Sequence, residues 1–411
     1  MQQNQIRSRD CVPMSADRSR PAGHGSTLVI FALSLGGFAI GTVEFAAMSL
    51  VPYFASDLGV NAATASYAIS IYALGVVIGA PTIAVLGARL SRRTLLISLM
   101  ALYSLANLMT AISTSYHLLL FFRFLAGLPH GAYFGVAALM AASLVPPGRR
   151  AKAISMVMLG LTLATLVGVP MSSFIAQYLT WRLAFGIAAA LAAVTALMIF
   201  LHAPADRPQP GANPLNELSA LCNRQVLLTL GIGAVGFGGI FSVYTYVANT
   251  LQEITHAPHW GEPFIFMVFG SGMVLGTIVT GRIADRGLLQ TTGGLLILAM
   301  IMLLLYPLTV HNIWLMAGCV FLIGFSGAMG LPLQTHLMDV SGRAQTMAAA
   351  MHHAAFNFAN AVGPWLASLI ISSGWSYPAS GYVGAFLAAG GITILCVTRW
   401  DLRRQPGIVK T

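Results

Sequence analysis

The stretch GMVLGTIVTGRIADRG, residues 272–287, decides the fold, because a related form of it, GVVIGAPTIAVLGARL, occupies residues 75–90. Matching positions in the two copies are separated by 197 residues. The same offset places FLAG, at 124–127, on FLIG, at 321–324. A constant offset over separate segments predicts a duplicated structural unit. In both copies an apolar run ends in arginines, as a helix does where it leaves a bilayer on the cytoplasmic side.

The composition indicates a membrane protein. Hydrophobic residues make up 57% of the chain and charged residues 8%, and the mean hydropathy is +0.79. The net charge of +10 does not indicate nucleic-acid binding, because the basic residues lie between apolar runs and form no basic face. The four cysteines, Cys11, Cys222, Cys319 and Cys396, have no paired spacing, which argues against a disulfide framework or a zinc site.

Apolar runs of roughly 20 residues, the length that crosses the hydrocarbon core as a helix, recur along the chain. Twelve are predicted, near 28–50, 64–86, 94–113, 117–142, 152–176, 184–203, 226–251, 263–284, 291–310, 313–337, 346–372 and 379–398. With the repeat, they predict an all-α polytopic membrane protein. We expect its twelve transmembrane helices to form two six-helix halves related by pseudo-two-fold symmetry.

The domain boundaries follow from where the apolar runs stop. We expect a disordered cytoplasmic tail at 1–26, an N-terminal six-helix bundle at 27–203, a cytoplasmic linker at 204–224, a C-terminal six-helix bundle at 225–400 and a second cytoplasmic tail at 401–411.

The basic residues predict the orientation. All but two of the 21 lysines and arginines fall on one side if the chain crosses twelve times, and the exceptions are Arg123 and Arg182. Cytoplasmic segments carry such an excess, so both termini of this multi-pass inner-membrane protein are expected in the cytoplasm.

Glu44 and Arg123 are the candidates for proton coupling. Each lies within an apolar span, where an ionisable side chain has to face the protein interior or a water-filled cavity. Burial disfavours the ionised form of a carboxyl group, so Glu44 suits uptake and release of a proton, with Arg123 as its natural partner. The alternative is a static ion pair that locks two helices. The equivalent positions of the second half hold Phe241 and Val320, which places proton chemistry in the first half.

Uncharged polar residues within the spans are the candidates for a substrate cavity, because amides, imidazoles and phenols among apolar walls suit a small uncharged or amphipathic ligand. The candidates are His130, Tyr246, Gln334, His336, His353, Asn357 and Asn360. Hydrogen bonding between helices is the alternative role for this set. His130 is also a candidate second proton carrier.

One connection has ligand-type residues at every third position: Glu253, His256, His259 and Glu262. Pro258 interrupts any helix there, so we interpret the series as a hydrated loop and expect no metal site.

These residues resemble the major facilitator superfamily. RFLAG in span 4 and GRIADR after span 8 carry the resemblance, and GLPHGAYFG, WRLAF and FNFANAVG are similar to the arabinose efflux permease-like branch of the drug/proton antiporters. The resemblance implies proton-driven efflux by alternating access, with the two halves rocking about a midplane site. It also implies that Arg123 and Glu44 couple transport to protons.

The resemblance further implies a cytoplasmic gate. The residues that match its motif are Arg89, Arg92, Arg93, Gly281, Asp285 and Arg286. This chain departs from the family pattern after span 2, where Ala84 and Ser91 replace glycines and Ala88 replaces the aspartate. Asp285, in the second copy, is then the aspartate available to hold the halves together.

The favoured function is a proton-coupled secondary active transporter that exports a small sugar-like or drug-like molecule. A proton-coupled importer or an uncoupled facilitator of a small metabolite is the alternative, and a membrane receptor or scaffold is the alternative of another class. No catalytic triad or phosphate-binding loop is present, so we expect neither an enzyme nor a cofactor, and a proton gradient as the energy source. The expected partners are a small-molecule substrate, protons and the lipid bilayer, with no nucleic acid, and the protein is expected to be a monomer.

Overall fold

The protein is α-helical throughout the part of the chain that the computed structural model describes. That part comprises residues 24–87, 89–146, 149–205, 222–284, 287–342 and 344–404. Within it, twelve helices are long and apolar enough to cross a membrane, which confirms the twelve predicted spans.

The first six spans are formed by nearly continuous helices, except that a π-helical turn interrupts span 5. Their bounds are His24–Leu58 (span 1), Ala62–Gly87 (span 2), Arg92–Ala111 (span 3), Tyr116–Ser143 (span 4), Arg150–Leu163 with Ala164–Gly168 and Val169–Tyr178 (span 5), and Trp181–His202 (span 6).

The last six spans include three that are composite. Their bounds are Arg224–Gly236 with Gly238–Glu253 (span 7), Gly261–Ile283 (span 8), Leu288–Thr309 (span 9), Ile313–Ser326 with Gly327–Met329 and Gly330–Val340 (span 10), Gln345–Ser372 (span 11), and Tyr377–Ala379 with Ser380–Arg404 (span 12). Because the number of spans is even, both ends of the helical array lie on one side. We call this side the termini face and the opposite side the far face.

Two helices extend beyond the apolar runs from which they were predicted. Span 1 continues to Leu58, where Gly59 ends the helix with a φ of +67°. Span 12 continues to Arg404 because Asp401 is buried and bonded to span 7. Its carboxylate accepts a hydrogen bond from Gln225 at 2.5 Å and pairs with Arg224 at 3.3 Å. Most of the predicted linker and of both tails lies outside the described residues.

The sequence repeat reappears as a repeat of helix contacts. A Cβ atom on Gly75 would overlap the carbonyl oxygen of Phe124, and one on Gly272 would overlap that of Phe321. The partners, like the glycines, are 197 residues apart. In the same way, the contact of Gly79 with Leu128 corresponds to the contact of Gly276 with Phe325. The contact of Gly127 with Tyr72 corresponds to the contact of Gly324 with Phe269. Span 2 therefore packs on span 4, and span 8 on span 10, with their backbones in direct contact.

Small apolar side chains join the first six spans to the last six on the termini side. Ala84 of span 2 packs in a buried cluster with Met347 of span 11, and Ala80 packs with Ala350 of the same helix. Spans 2 and 11 are therefore packed directly against each other along this seam.

Two further seams join the two sets of spans. Gly270 of span 8 lies against Thr165 in the π-helical turn of span 5, where a Cβ atom would meet the Thr165 backbone. In the seam between spans 1 and 7, the hydroxyl of Thr245 donates to the sulfur of Met48 at 3.4 Å. These two residues are themselves equivalent in the 197-residue repeat.

Arg182, one of the two basic residues off the arginine-rich side, has a specific partner on the far face. It forms an ion pair with Asp57 at the end of span 1, and it donates to the backbone oxygen of Ser113 at 3.0 Å. Trp181 donates to the same carboxylate at 3.1 Å. The arginine therefore ties the start of span 6 to the ends of spans 1 and 3.

Candidate functional site

Glu44 lies deep in the array. Its residue exposure is 2%, and within the described residues neither carboxylate oxygen has a hydrogen-bond partner. The nearest ionisable contact is Nε2 of His130, which is 3.8 Å from Oε2. The side-chain amide of Asn357 also interacts with the carboxylate, and the charge of the Arg123 guanidinium acts on it from further away. An ionised carboxylate is costly in such surroundings unless it is paired.

Arg123 is buried as completely as Glu44, with 1% exposure, and the two side chains do not form the static ion pair that was the alternative to proton coupling. Among the described residues the ionisable side chain in contact with Glu44 is His130, and the arginines that form ion pairs are Arg182 and Arg224. Nε of Arg123 donates to the backbone oxygen of Ala68 at 3.3 Å, and its guanidinium lies over the ring of Tyr72, 4.2 Å from the centroid. The aromatic face stabilises the buried cation at a distance from the carboxylate.

Tyr72 and His130 connect the two buried charges. The Tyr72 hydroxyl is 2.8 Å from Nδ1 of His130, so these two groups share one hydrogen bond. When the phenol donates, the imidazole proton is on Nε2, the atom that faces Glu44. The Nε2 to Oε2 distance of 3.8 Å exceeds a hydrogen bond by roughly 1 Å, so a small displacement would close it. Arg123, Tyr72, His130 and Glu44 thus form a continuous row, which we call the central row.

The central row reaches the last six spans through span 11. The His353 ring stacks on Phe134 with the centroids 4.4 Å apart, and it lies 5.7 Å from the His130 ring. Asn357, one turn further along, donates to the backbone oxygen of His353 at 3.1 Å. Its side-chain oxygen has no partner among the described residues. The polar cluster therefore contains groups from both sets of spans.

Aromatic side chains lie beside this cluster. Phe45, next to Glu44 in the chain, contacts Phe241 and Tyr244 of span 7 and Phe356 of span 11, with centroid distances of 6.1 to 6.3 Å. All three of its partners belong to the last six spans. In this conformation the rings help to enclose the central row and keep it from solvent.

The other predicted cavity residues lie in different places. Asn360 is buried on span 11, one turn beyond Asn357. Tyr246 donates to the backbone oxygen of Pro364 at 3.3 Å and stacks with Tyr377. Gln334 and His336 lie in the last two turns of span 10, towards the termini face. The structure thus gathers His130, His353 and Asn357 around Glu44.

Two of the predicted gate residues, Arg93 and Gly281, have described contacts within their own set of spans. Arg93 donates to the backbone oxygen of Phe200, which ties span 3 to span 6. Arg89 is exposed, Arg92 begins span 3, and Gly281 lies near Leu331 of span 10. Asp285 and Arg286 lie outside the described residues. Their role as a gate stays a prediction.

Two candidate functional residues, Tyr72 and Glu262, were not predicted from the sequence. Tyr72 could not be recognised as functional from the sequence, because tyrosines are common in apolar spans. Glu262 was interpreted as part of a hydrated loop, and this is wrong: it lies in the first turn of span 8, is 6% exposed and accepts a hydrogen bond from Ser173 at 2.9 Å. The available signal was Gly261-Glu262-Pro263, since acidic residues favour the first turn of a helix.

Comparison with known proteins identifies the family. Residues 33–351 match the family model described as Major Facilitator Superfamily. The chain is 35% identical over 383 residues to "Inner membrane transport protein YdhP" of Escherichia coli K12, covering 92% of this chain and 97% of that protein. It is 31% identical to "Chloramphenicol resistance protein" of Streptomyces lividans, covering 88% and 93%. It is 26% identical to "Probable sugar efflux transporter" of Helicobacter acinonychis, covering 87% and 92%. The chain therefore belongs to the Major Facilitator Superfamily, as a multi-pass membrane transporter and not an enzyme.

Proposed function

We propose that this protein is a proton-coupled exporter of a small sugar-like or drug-like molecule, working by alternating access with both termini in the cytoplasm. One observation carries the proposal: a buried carboxylate, Glu44, lies where the first six spans meet the last six, facing an imidazole and near a buried guanidinium. Sugar efflux and chloramphenicol resistance appear in the names of relatives, which supports these substrate classes.

The contacts suggest how coupling proceeds. In the enclosed conformation Glu44 holds a proton, because the carboxylate is buried away from water and its nearest ionisable neighbour, His130, is 3.8 Å away. When span 11 separates from spans 1 and 4, His353 and Asn357 leave and water reaches the carboxylate. Hydration favours ionisation, and the proton departs. Arg123 and His130 then stabilise the anion until a new proton binds from the other side of the membrane.

No bound cofactor enters this scheme, and a single chain provides both sets of spans. The proton gradient supplies the driving force. An importer would use the same central row in the reverse direction, and an uncoupled facilitator would leave Glu44 without a role in driving transport.

A transport assay tests the proposal directly. The purified protein is placed in proteoliposomes, a pH gradient is imposed, and the movement of sugars, nucleosides, phenicols and dyes is measured. We expect at least one compound to move against its own gradient, and a protonophore to abolish that movement. Equilibration that stops at equal concentrations would identify a facilitator. In intact cells, faster accumulation on overexpression would identify an importer.

Tyr72→Phe tests the central row. The substitution removes the hydroxyl that pairs with His130 Nδ1 and leaves the ring beneath Arg123. We expect proton-driven transport to fall about tenfold, because the imidazole loses the bond that orients it towards Glu44. The measurement is the initial rate in proteoliposomes, with the melting temperature recorded for each variant.

Tyr306→Phe is the matched control for Tyr72→Phe. It removes a buried phenol hydroxyl that has no hydrogen-bond partner among the described residues. Equal transport rates in the two variants would contradict a role for the Tyr72 hydroxyl.

A further inference from the structure

A second polar site lies on the far face, between the two sets of spans. It is a cleft of about 560 Å³ formed by the ends of spans 1, 5 and 7, the connection after span 7 and the start of span 8. Its polar lining residues are Tyr53, Gln177, Tyr178, Gln252, His259 and Glu262. Tyr53 follows Glu44 by nine residues in one helix, roughly 14 Å along its axis, so the outer cleft is separate from the central row.

Glu262 is the acidic residue of the outer cleft. The carboxylate lies in the first turn of span 8, where the helix dipole favours a negative charge. It is buried, and it accepts a hydrogen bond from the hydroxyl of Ser173 in span 5. A carboxylate accepts about four hydrogen bonds, so Ser173 and the neighbouring Gln252 amide leave capacity for a further donor in the cleft. No lysine or arginine lines the cleft in the part of the chain that the structure describes.

The lining favours one class of ligand. A protonated amine carries N–H donors for a carboxylate and a positive charge that aromatic faces stabilise. The cleft offers the Glu262 carboxylate with the rings of Tyr53 and Tyr178. A neutral polyol would use the two glutamine amides but would bring no positive charge, which an ionised carboxylate at a buried position needs.

We propose that the outer cleft binds small protonated amines, with the ammonium group taking the place of the Ser173 hydroxyl on Glu262. The Ser173–Glu262 hydrogen bond links span 5 to span 8, and therefore joins the two sets of spans near the far face. An ammonium ion that replaces it weakens this link and favours opening of the far face. Only this consequence for transport rests on the proposed function; the binding itself does not.

Equilibrium binding tests the site without any gradient or transport. The full-length protein in lipid nanodiscs is titrated calorimetrically with phenethylammonium, and with 2-phenylethanol as the uncharged probe of matching shape. We expect saturable binding of the amine to one site and binding of the alcohol about tenfold weaker or less, because the alcohol lacks the charge.

Two variants have opposite expected effects. Glu262→Gln removes the charge at constant size and should weaken amine binding about tenfold or more. Ser173→Ala removes the competing hydroxyl and should tighten amine binding a few-fold, roughly threefold. A misfolded protein does not gain affinity, so the second variant keeps the test decisive if the first is unstable. Glu253→Gln, an exposed carboxylate outside the cleft lining, is the control that should leave the affinity unchanged.

Three results would overturn the proposal. The first is equal affinity for the amine and the alcohol. The second is amine binding that is unchanged in both Glu262→Gln and Ser173→Ala. The third is amine binding that is lost in Glu44→Gln and kept in Glu262→Gln, which would place the amine in the central row. Failure of proton-driven transport, by contrast, would contradict the proposed function and leave this binding result intact.

Discussion

Glu44→Gln should abolish proton-driven uphill transport in proteoliposomes. Glutamine matches glutamate in size and cannot ionise, so the enclosed arrangement around His130 is preserved while proton exchange is removed. We expect the uphill rate to fall about a hundredfold or more. An ionisable side chain within a membrane span is energetically costly and typically belongs to a proton or ion pathway, and the substitution removes it. Exchange of substrate across the membrane without a pH gradient should continue, since it requires no change of charge at this position.

Glu253→Gln is the matched control for this experiment. Glu253 is an exposed carboxylate at the end of span 7, so its loss removes the same chemical group without touching the central row. Its uphill rate should equal that of the unmodified protein. Uphill transport that survives Glu44→Gln would show that the proton travels by another route.

Gly272→Ala should destabilise the fold severely for so small a change. The added methyl group would overlap the carbonyl oxygen of Phe321, which belongs to the backbone of span 10 and has no rotamer by which to move away. Forcing the two helices apart should cost about 1–3 kcal/mol. The expected observation is a lower melting temperature and a smaller monodisperse fraction in detergent. Gly75→Ala, the equivalent change against Phe124, should behave in the same way.

Gly318→Ala provides the comparison. Gly318 lies in span 10, and a Cβ atom built there meets nothing within 4 Å. Alanine reduces the conformational freedom of the unfolded chain, so the stability should be unchanged or rise by up to about 1 kcal/mol. Equal melting temperatures for Gly272→Ala and Gly318→Ala would show that the contact between spans 8 and 10 is loose.

The sequence was sufficient to predict the fold because the bilayer imposes a simple rule. A segment in hydrocarbon has to satisfy its own backbone hydrogen bonds, so apolar length alone identifies a helix. At span 12 the apolar pattern ended too early, because a polar residue there is buried by tertiary contacts. Span 12 extends past its apolar run because Asp401 pairs with Arg224 and Gln225 of span 7, more than 170 residues away in the chain.

The site was predicted in part. Intramembrane charge identified Glu44 and Arg123, and helical spacing identified His130, but nothing in the sequence fixes the side-chain conformations that separate the two charges. Arg123 has an aromatic ring on the neighbouring helix within reach, and that contact stabilises the cation without the carboxylate. Glu262 was missed because its hydrogen-bond partner, Ser173, lies in span 5, far from it in the chain.

The glycine contacts between spans 2 and 4 have a mechanical consequence. Two helices whose backbones touch at Gly75 and Gly79 have no side-chain layer in which to slide, so they move as one rigid body. Span 2 forms the apolar seam with span 11, and span 4 carries Arg123 and His130. When spans 2 and 11 separate, Arg123 and His130 therefore move away from span 11 at the same time. Opening of the seam and displacement of the two side chains are one rigid-body movement.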